Sequence, residues 1–387
     1  MSPILSKHFI GLTAPTIGDA EINEVVETLR SGWVISGPRV GALDEMLEHR
    51  LGVPHVRCLA SCSAGLFLAL KCAAVGPGDE VLLPAITFAG CANIVEQLGA
   101  APVLVDCDRA TGLIDLDHAA HLAGPATRAI MPVHLGGRPI DMVRMNALRD
   151  RLGLCVVEDA AHAIGAAWDG GVIGAHGNPT SFSFHATKNM TTVEGGALAL
   201  ENGAMADRVK RLANQGVSAS TWDRHGSTGP ADYDVVEPGY KLSMTDVAAA
   251  IGIHQLRRLD EAIDRREQIR RDYDQALATL PVDLEPEVEP FARHARHLYA
   301  VRVRPDAPVS RDELILGLRE RGVGASVHFT GLHMLTHYRR RCGVAEHDLP
   351  AATDYARRTI SLPCHPGLTS HDQARVVDAM TAVVGGG

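Results

Sequence analysis

Between about residues 60 and 200, short apolar runs alternate with segments in which apolar positions recur at helical spacing. The runs at Glu80–Pro84, Ala101–Asp106, Arg128–Val133, Leu154–Asp159 and Ser181–Phe184 predict strands, and a further strand starts at Gly195-Gly196 and runs to Leu200. The intervening stretches at Ala64–Val75, Cys91–Leu98 and Asp141–Leu152 predict helices. Short apolar strands separated by helices imply a mostly parallel sheet covered on both faces, whose ligands bind beyond the carboxyl ends of the strands. From Met244 to about Leu280 the pattern is helical without strands, with Arg, Asp and Glu on one face. A smaller α+β unit follows: a strand at Leu298–Val303, a helix at Arg311–Arg321, a strand at Ala325–His328 and a terminal helix near Ser370–Val384. This divides the chain into a large domain over 13–255 and a small one over 256–387, with residues 1–12 packed against the latter.

The bulk composition narrows the class. At 387 residues and 46% hydrophobic content the chain has ample material for a core. Its net charge of −9 offers no general attraction to nucleic acid, and Arg257-Arg258, Arg265-Arg266 and Arg270-Arg271 interleave with acids as on a solvated helix face. The N-terminus lacks the apolar run of a secretory signal. The longest nearly apolar stretch, Cys58 to Leu70, falls short of the roughly 20 residues that span a bilayer. Eight cysteines occur without paired metal-ligand spacing, which predicts no metal and reduced thiols in a cytoplasmic protein.

The candidate chemistry starts at Lys188. Only Lys7, Lys71, Lys188, Lys210 and Lys241 are lysine, so the remaining 37 − 5 = 32 basic residues are arginine. In such a chain a lysine at the end of a strand points to a need for an amine rather than a cation, because a guanidinium forms no imine. Pyridoxal phosphate enzymes hold their cofactor in that way. Asp159 ends an earlier strand, where its carboxylate can pair with a protonated pyridine nitrogen or cap the following helix. His162, three residues on, lies within reach of the same ring, or is an ordinary buried histidine. Ser61-Cys62-Ser63-Ala64-Gly65 precedes a helix, so Ser63 is both a phosphate ligand and a candidate cap, and Ser183 offers another hydroxyl. Phe88 stacks on the ring face or belongs to the core. No dinucleotide fingerprint and no phosphate-loop Gly-Lys-Ser/Thr occurs.

These residues resemble the PLP-dependent sugar aminotransferases of the DegT/StrS family, and the match runs nearly end to end. It is carried by Ser31-Gly32-Trp33-Val34-Ile35-Ser36-Gly37-Pro38, Pro84-Ala85-Ile86-Thr87-Phe88, Pro132-Val133-His134-Leu135-Gly136-Gly137, Glu158-Asp159-Ala160-Ala161-His162, Ser181 to Asn189, Glu194-Gly195-Gly196-Ala197, Gly239-Tyr240-Lys241, Ser326-Val327-His328 and Leu362-Pro363. The resemblance implies the aspartate aminotransferase fold: PLP-dependent transferase fold type I, with a mostly parallel mixed seven-stranded sheet. It implies that Lys188 carries pyridoxal 5'-phosphate as an imine, that Asp159 pairs with the ring nitrogen, and that His162 lies beside the ring oxygen. Ser63, Ala64 and Ser183 would hold the phosphate, and Trp33, Ile35, His185, His328 and Phe329 would contact substrate. Relatives are homodimers with shared sites, so Lys241 would reach the partner's cofactor phosphate. The chain departs from the commoner pattern at Cys62, usually Gly, at Gly65, usually Ala, and at Ser243, usually Asn or Arg.

The expected reaction moves an amino group, with glutamate as donor, to a nucleotide-linked 4-keto-6-deoxy sugar. A keto-cyclitol acceptor uses the same residues. A dehydratase of this fold would carry His in place of Lys188. A non-catalytic regulator would be expected to add a basic recognition helix, which the segment after about residue 256 lacks.

Overall fold

The computed structural model describes residues 9–218 and 232–385. One parallel sheet has the order Ala101–Val105, Glu80–Pro84, Thr127–Ile130, Cys155–Val156. A second has the order His55–Leu59, Gly196–Leu200, Thr180–Ser183, Glu158–Asp159, and in it Gly196–Leu200 runs antiparallel to both neighbours. The two meet in residues 155–159. There the Val157 N–H donates to the Ile130 carbonyl at 3.1 Å, and Asp159 bridges to Val133. Four of the five residues of Glu80–Pro84 are buried, as are all of Gly196–Leu200, which is why these strands read as continuous apolar runs.

Helices cover the sheets. Cys62–Cys72 buries seven of its eleven residues, and Ser61 caps it, its Oγ accepting the Ala64 N–H at 3.1 Å. Asp246–Arg257 and Leu259–Leu277 divide the long helical stretch. A helix at Asp19–Arg30 buries Glu21 and Thr28 and leaves Ile22 and Leu29 of its apolar stripe exposed. It is tied down by polar contacts: Gln255 Nε2 donates to Glu21 Oε1 at 2.7 Å, and the Arg258 guanidinium pairs with the same carboxylate.

A third, antiparallel sheet joins Val282–Asp283, Tyr299–Val303 and Thr359–Leu362. Its core gathers Ile10, Ile269, Tyr273, Leu277, Leu314 and Val376. Residues 332–356 leave this unit, and Leu332, Tyr338 and Tyr355 pack into the core around Cys62–Cys72 and Glu80–Pro84. The strand expected at Ala325–His328 is corrected. Ser326 exchanges backbone bonds with Ser361 at 3.2 and 2.8 Å, an isolated bridge, after which the chain turns His328 and Phe329 into the cleft described next. Among the described residues no helix is long and apolar enough to cross a membrane.

Candidate active site

A cleft of about 430 Å³ opens at the ends of the strands carrying Asp159 and Ser183. It brings together Ser63, Phe88, Asp159, His162, Ser183, His185, Lys188, His328 and Phe329. Ala64 stands one residue behind Ser63, with its N–H engaged by Ser61. Trp33 lies elsewhere, its indole N–H donating to the Ser36 carbonyl at 3.1 Å. Ile35 and Lys241 line a separate cleft of about 430 Å³ with Arg57, Lys210 and Arg211. Within a single subunit, Lys241 therefore does not line the cleft of Lys188.

Asp159 is 6% exposed. Its Oδ1 accepts the Ala161 N–H at 2.9 Å, and the thiols of Cys62 and Cys91 approach Oδ1 and Oδ2 at 3.8 and 3.0 Å. Lys188 follows a tight turn in which its N–H donates to the His185 carbonyl at 2.9 Å. Burial holds the Lys188 amine below its ordinary value, against the opposing pull of the Asp159 charge. The uncharged amine, which this lowering favours, is the form that can act as nucleophile or base.

Three imidazoles crowd the same wall. His162 Nδ1 accepts the Gly136 N–H at 3.1 Å, so its Nε2 bears the proton. Burial first, then the charges of Lys188 and His328, hold His162 well below the usual imidazole range and keep it neutral. The His162 ring lies 4.4 Å from that of His297 and is stacked with Phe329 at 5.9 Å. His297 faces the Asn189 side-chain oxygen at 3.2 Å, while the Asn189 Nδ2 donates to the Ala295 carbonyl at 2.6 Å. The Lys188 loop is thus fastened to the entry of the third sheet. His328 sits 2.9 Å from the Ser361 hydroxyl, and burial, then Lys188, lower it to about 4.

Two glycines set the phosphate-facing end. A side chain at Gly196 would fall 2.4 Å from the Cys62 N, so only glycine lets this strand approach the N-terminus of helix Cys62–Cys72. At Gly65 a Cβ would lie 2.3 Å from Ser181 Oγ, whose hydrogen bonds to the Cys62 carbonyl at 2.9 Å. The glycine at 65 and the serine at 181 therefore belong together. Gly65→Ala is expected to cost about 1–3 kcal/mol through overpacking. Adding Ser181→Ala should recover part of that loss in urea unfolding; strictly additive losses would remove the steric explanation.

The sequence reading did not anticipate Cys91, Thr87, His297 or Glu194 in the cleft. Cys62 stands out in the sequence as a departure beside Ser63, and Thr87 and Glu194 lie in motifs that carry the family resemblance; Cys91 and His297 carry no local signal.

Similarity to known proteins agrees with this geometry. A family profile described as the DegT/DnrJ/EryC1/StrS aminotransferase family matches residues 15–381. The chain is 41% identical over 381 residues to spore coat polysaccharide biosynthesis protein SpsC of Bacillus subtilis (strain 168), covering 98% of each. Among solved structures, aminotransferase TlmJ of Streptoalloteichus hindustanus is 35% identical with a TM-score of 0.89, covering 97% of this chain and 99% of that one. Spr1654 of Streptococcus pneumoniae, described as a sugar aminotransferase and solved in its PLP form, is 31% identical with a TM-score of 0.90, covering 98% and 99%.

The residues present fit pyridoxal phosphate. Hydroxyls at a helix N-terminus suit a phosphate, a buried carboxylate suits a pyridinium, and an amine held below its ordinary pKa suits carbonyl chemistry. Phe88, 63% exposed, adds an aromatic face to a cleft also lined by Leu12, Leu66, Val133, Leu298 and Phe329. The chain belongs to the DegT/DnrJ/EryC1/StrS aminotransferase family and is a pyridoxal phosphate-dependent aminotransferase.

Proposed function

We propose that this aminotransferase moves an amino group from glutamate to the keto carbon of a nucleotide-linked 4-keto-6-deoxy sugar, in the cytoplasm. The observation that carries the reading is the pairing, in one open cleft, of the buried Asp159 carboxylate with a Lys188 amine held down by burial. Bound pyridoxal phosphate supplies an electron sink and a carrier for the amino group. Ser63, the amide end of helix Cys62–Cys72 and Ser183 hold its phosphate, and Phe88 covers a ring face. Asp159 keeps the ring nitrogen protonated. His162 donates its Nε2–H to the ring oxygen. Lys188 Nζ takes the proton from the donor's α-carbon and delivers one to the acceptor carbon. His185, His328 and Phe329 line the outer cleft, where the acceptor is bound and water is displaced.

The relatives support a sugar acceptor: one is named for polysaccharide biosynthesis and another is described as a sugar aminotransferase. The placement of Lys241 outside its own subunit's cleft supports a homodimer in which it serves the partner's phosphate. All eight cysteines are free thiols, in keeping with a reducing compartment.

The test incubates the purified PLP form with glutamate and a panel of keto-sugar nucleotides and keto-cyclitols. The expected outcome is an amino product, by mass, from a nucleotide-linked 4-keto-6-deoxy sugar. Product from cyclitols alone would transfer the assignment to that class.

A further inference from the structure

Asp159 is gripped by two thiols that no part of the reaction described above uses. Cys91, from helix Gly90–Gln97, brings its sulfur to 3.0 Å from Oδ2. Cys62, the first residue of helix Cys62–Cys72, lies 3.8 Å from Oδ1 and 3.4 Å from the Ser181 carbonyl, and so shares one S–H between two acceptors. The Thr87 hydroxyl is 3.2 Å from Cys91 Sγ. With the Cys91 S–H directed at Asp159, this hydroxyl donates to the sulfur, and a short chain runs Thr87 to Cys91 to Asp159. Both cysteines are buried.

We propose that Cys91, assisted by Cys62, is a positioning residue for the cofactor-facing carboxylate of Asp159. The proposal rests on the reading that Asp159 meets the ring nitrogen of pyridoxal phosphate. A carboxylate on a strand end is free to turn about its last bond, and a misdirected lone pair gives a poor bond to a ring fixed elsewhere by its phosphate. The Ala161 amide fixes Oδ1 and the Cys91 thiol fixes Oδ2, leaving the outward lone pairs for the ring. A thiol suits the task for two reasons. It is neutral, so the full negative charge of Asp159 remains for the ring nitrogen. It is also a weak donor, so it withdraws little electron density from the oxygen it holds. Burial, then the adjacent Asp159 charge, push both thiols well above the ordinary range, so they stay protonated as donors at every working pH.

The experiment loads the holoenzyme with cofactor labelled with ¹⁵N in the ring and follows the ring nitrogen by NMR against pH, together with the cofactor Kd. Cys91→Ala should raise Kd about tenfold and move loss of the ring proton down by about one pH unit, the size of one charge-assisted bond of modest strength. Cys91→Ser, which restores a donor, should recover part of both effects. Cys91→Val, close to cysteine in size, provides the same comparison if the alanine variant does not fold. An unmoved nitrogen titration with only a lowered melting temperature would overturn the proposal, leaving Cys91 a packing residue. An upward shift would also overturn it, because the thiol would then be draining charge rather than aiming it. Asp159→Asn is the control. If its ring nitrogen remains protonated as in the wild type, the cofactor reading of Asp159 falls and the proposal with it; if only the Cys91 variants fail, the cofactor reading stands.

Discussion

Lys188→Arg should abolish transamination, lowering turnover by roughly 10⁴-fold or more, or about 5 kcal/mol of barrier at about 1.36 kcal/mol per decade. Arginine preserves the positive charge and most of the length, so the phosphate end and the Asp159 carboxylate keep a cationic neighbour. What disappears is an amine able to lose its proton: burial lowers the Lys188 pKa, whereas a guanidinium stays charged throughout the usable pH range. The sign is plain. A lowered amine pKa means more uncharged amine at neutral pH, so the wild-type chemical step has its nucleophile and the variant has none. Borohydride treatment of the loaded wild type should leave the cofactor covalently on the peptide containing Lys188, and cofactor found on any other lysine would refute the assignment. The same variant tests the shared site. Lys188→Arg subunits mixed with Lys241→Glu subunits, each nearly inactive alone, should regain activity, because one site of the mixed dimer holds both intact lysines. No recovery, with mixed dimers present, would place Lys241 in its own subunit's site or on the surface.

Asp159→Asn should lower turnover by several orders of magnitude while the fold survives. The amide has no charge with which to keep the ring nitrogen protonated, so the electron sink weakens, and a lost charged hydrogen bond adds about 1.5–3 kcal/mol in cofactor binding. The surroundings make the change doubly awkward. The oxygens of Asp159 accept from an amide and two thiols, so an Asn NH₂ at either position meets donors rather than acceptors. A readout independent of turnover follows. After burial, the Asp159 charge is the largest influence raising the Cys62 and Cys91 thiols, so removing it should make both more reactive toward alkylating reagents in the apo-protein. Turnover near the wild-type level would show that Asp159 does not face the cofactor.

What could be seen in the sequence follows from where the signals are local. Glu80–Pro84 and Gly196–Leu200 were visible because burial on both faces writes a continuous apolar run, and Ser370–Val384 because an apolar stripe follows the capping Thr369. Helix Asp19–Arg30 was passed over although Ile22, Val25, Val26 and Leu29 recur at helical spacing, and its packing could not be read, since its buried positions, Glu21 and Thr28, are polar and Glu21 is held by Gln255, more than two hundred positions away, while Thr28 donates to the nearby Glu24 carbonyl. Ala325–His328 was over-read because a β-like composition says nothing of whether a second strand continues alongside. In the site, Asp159, Ser183 and Lys188 lie at or just beyond strand ends and could be placed by counting. Cys62 and Cys91 could not: they are the first residues or nearly so of two different helices, and only the crossing of those helices over one carboxylate makes them neighbours.

Helix Leu259–Leu277 carries one more implication. Its opening turns bury Leu259 and Ile263 among the residues beneath Asp159's sheet, and its closing turns bury Ile269, Tyr273 and Leu277 in the core of the third sheet. A continuous helix of nineteen residues resists bending in the middle, because each turn is bonded to the next. Melting either half would therefore strip the other of its seat, and the two cores should come apart in a single transition rather than in sequence. Severing the chain after this helix would leave a row of large apolar side chains facing water, a sticky fragment rather than an independently folding piece.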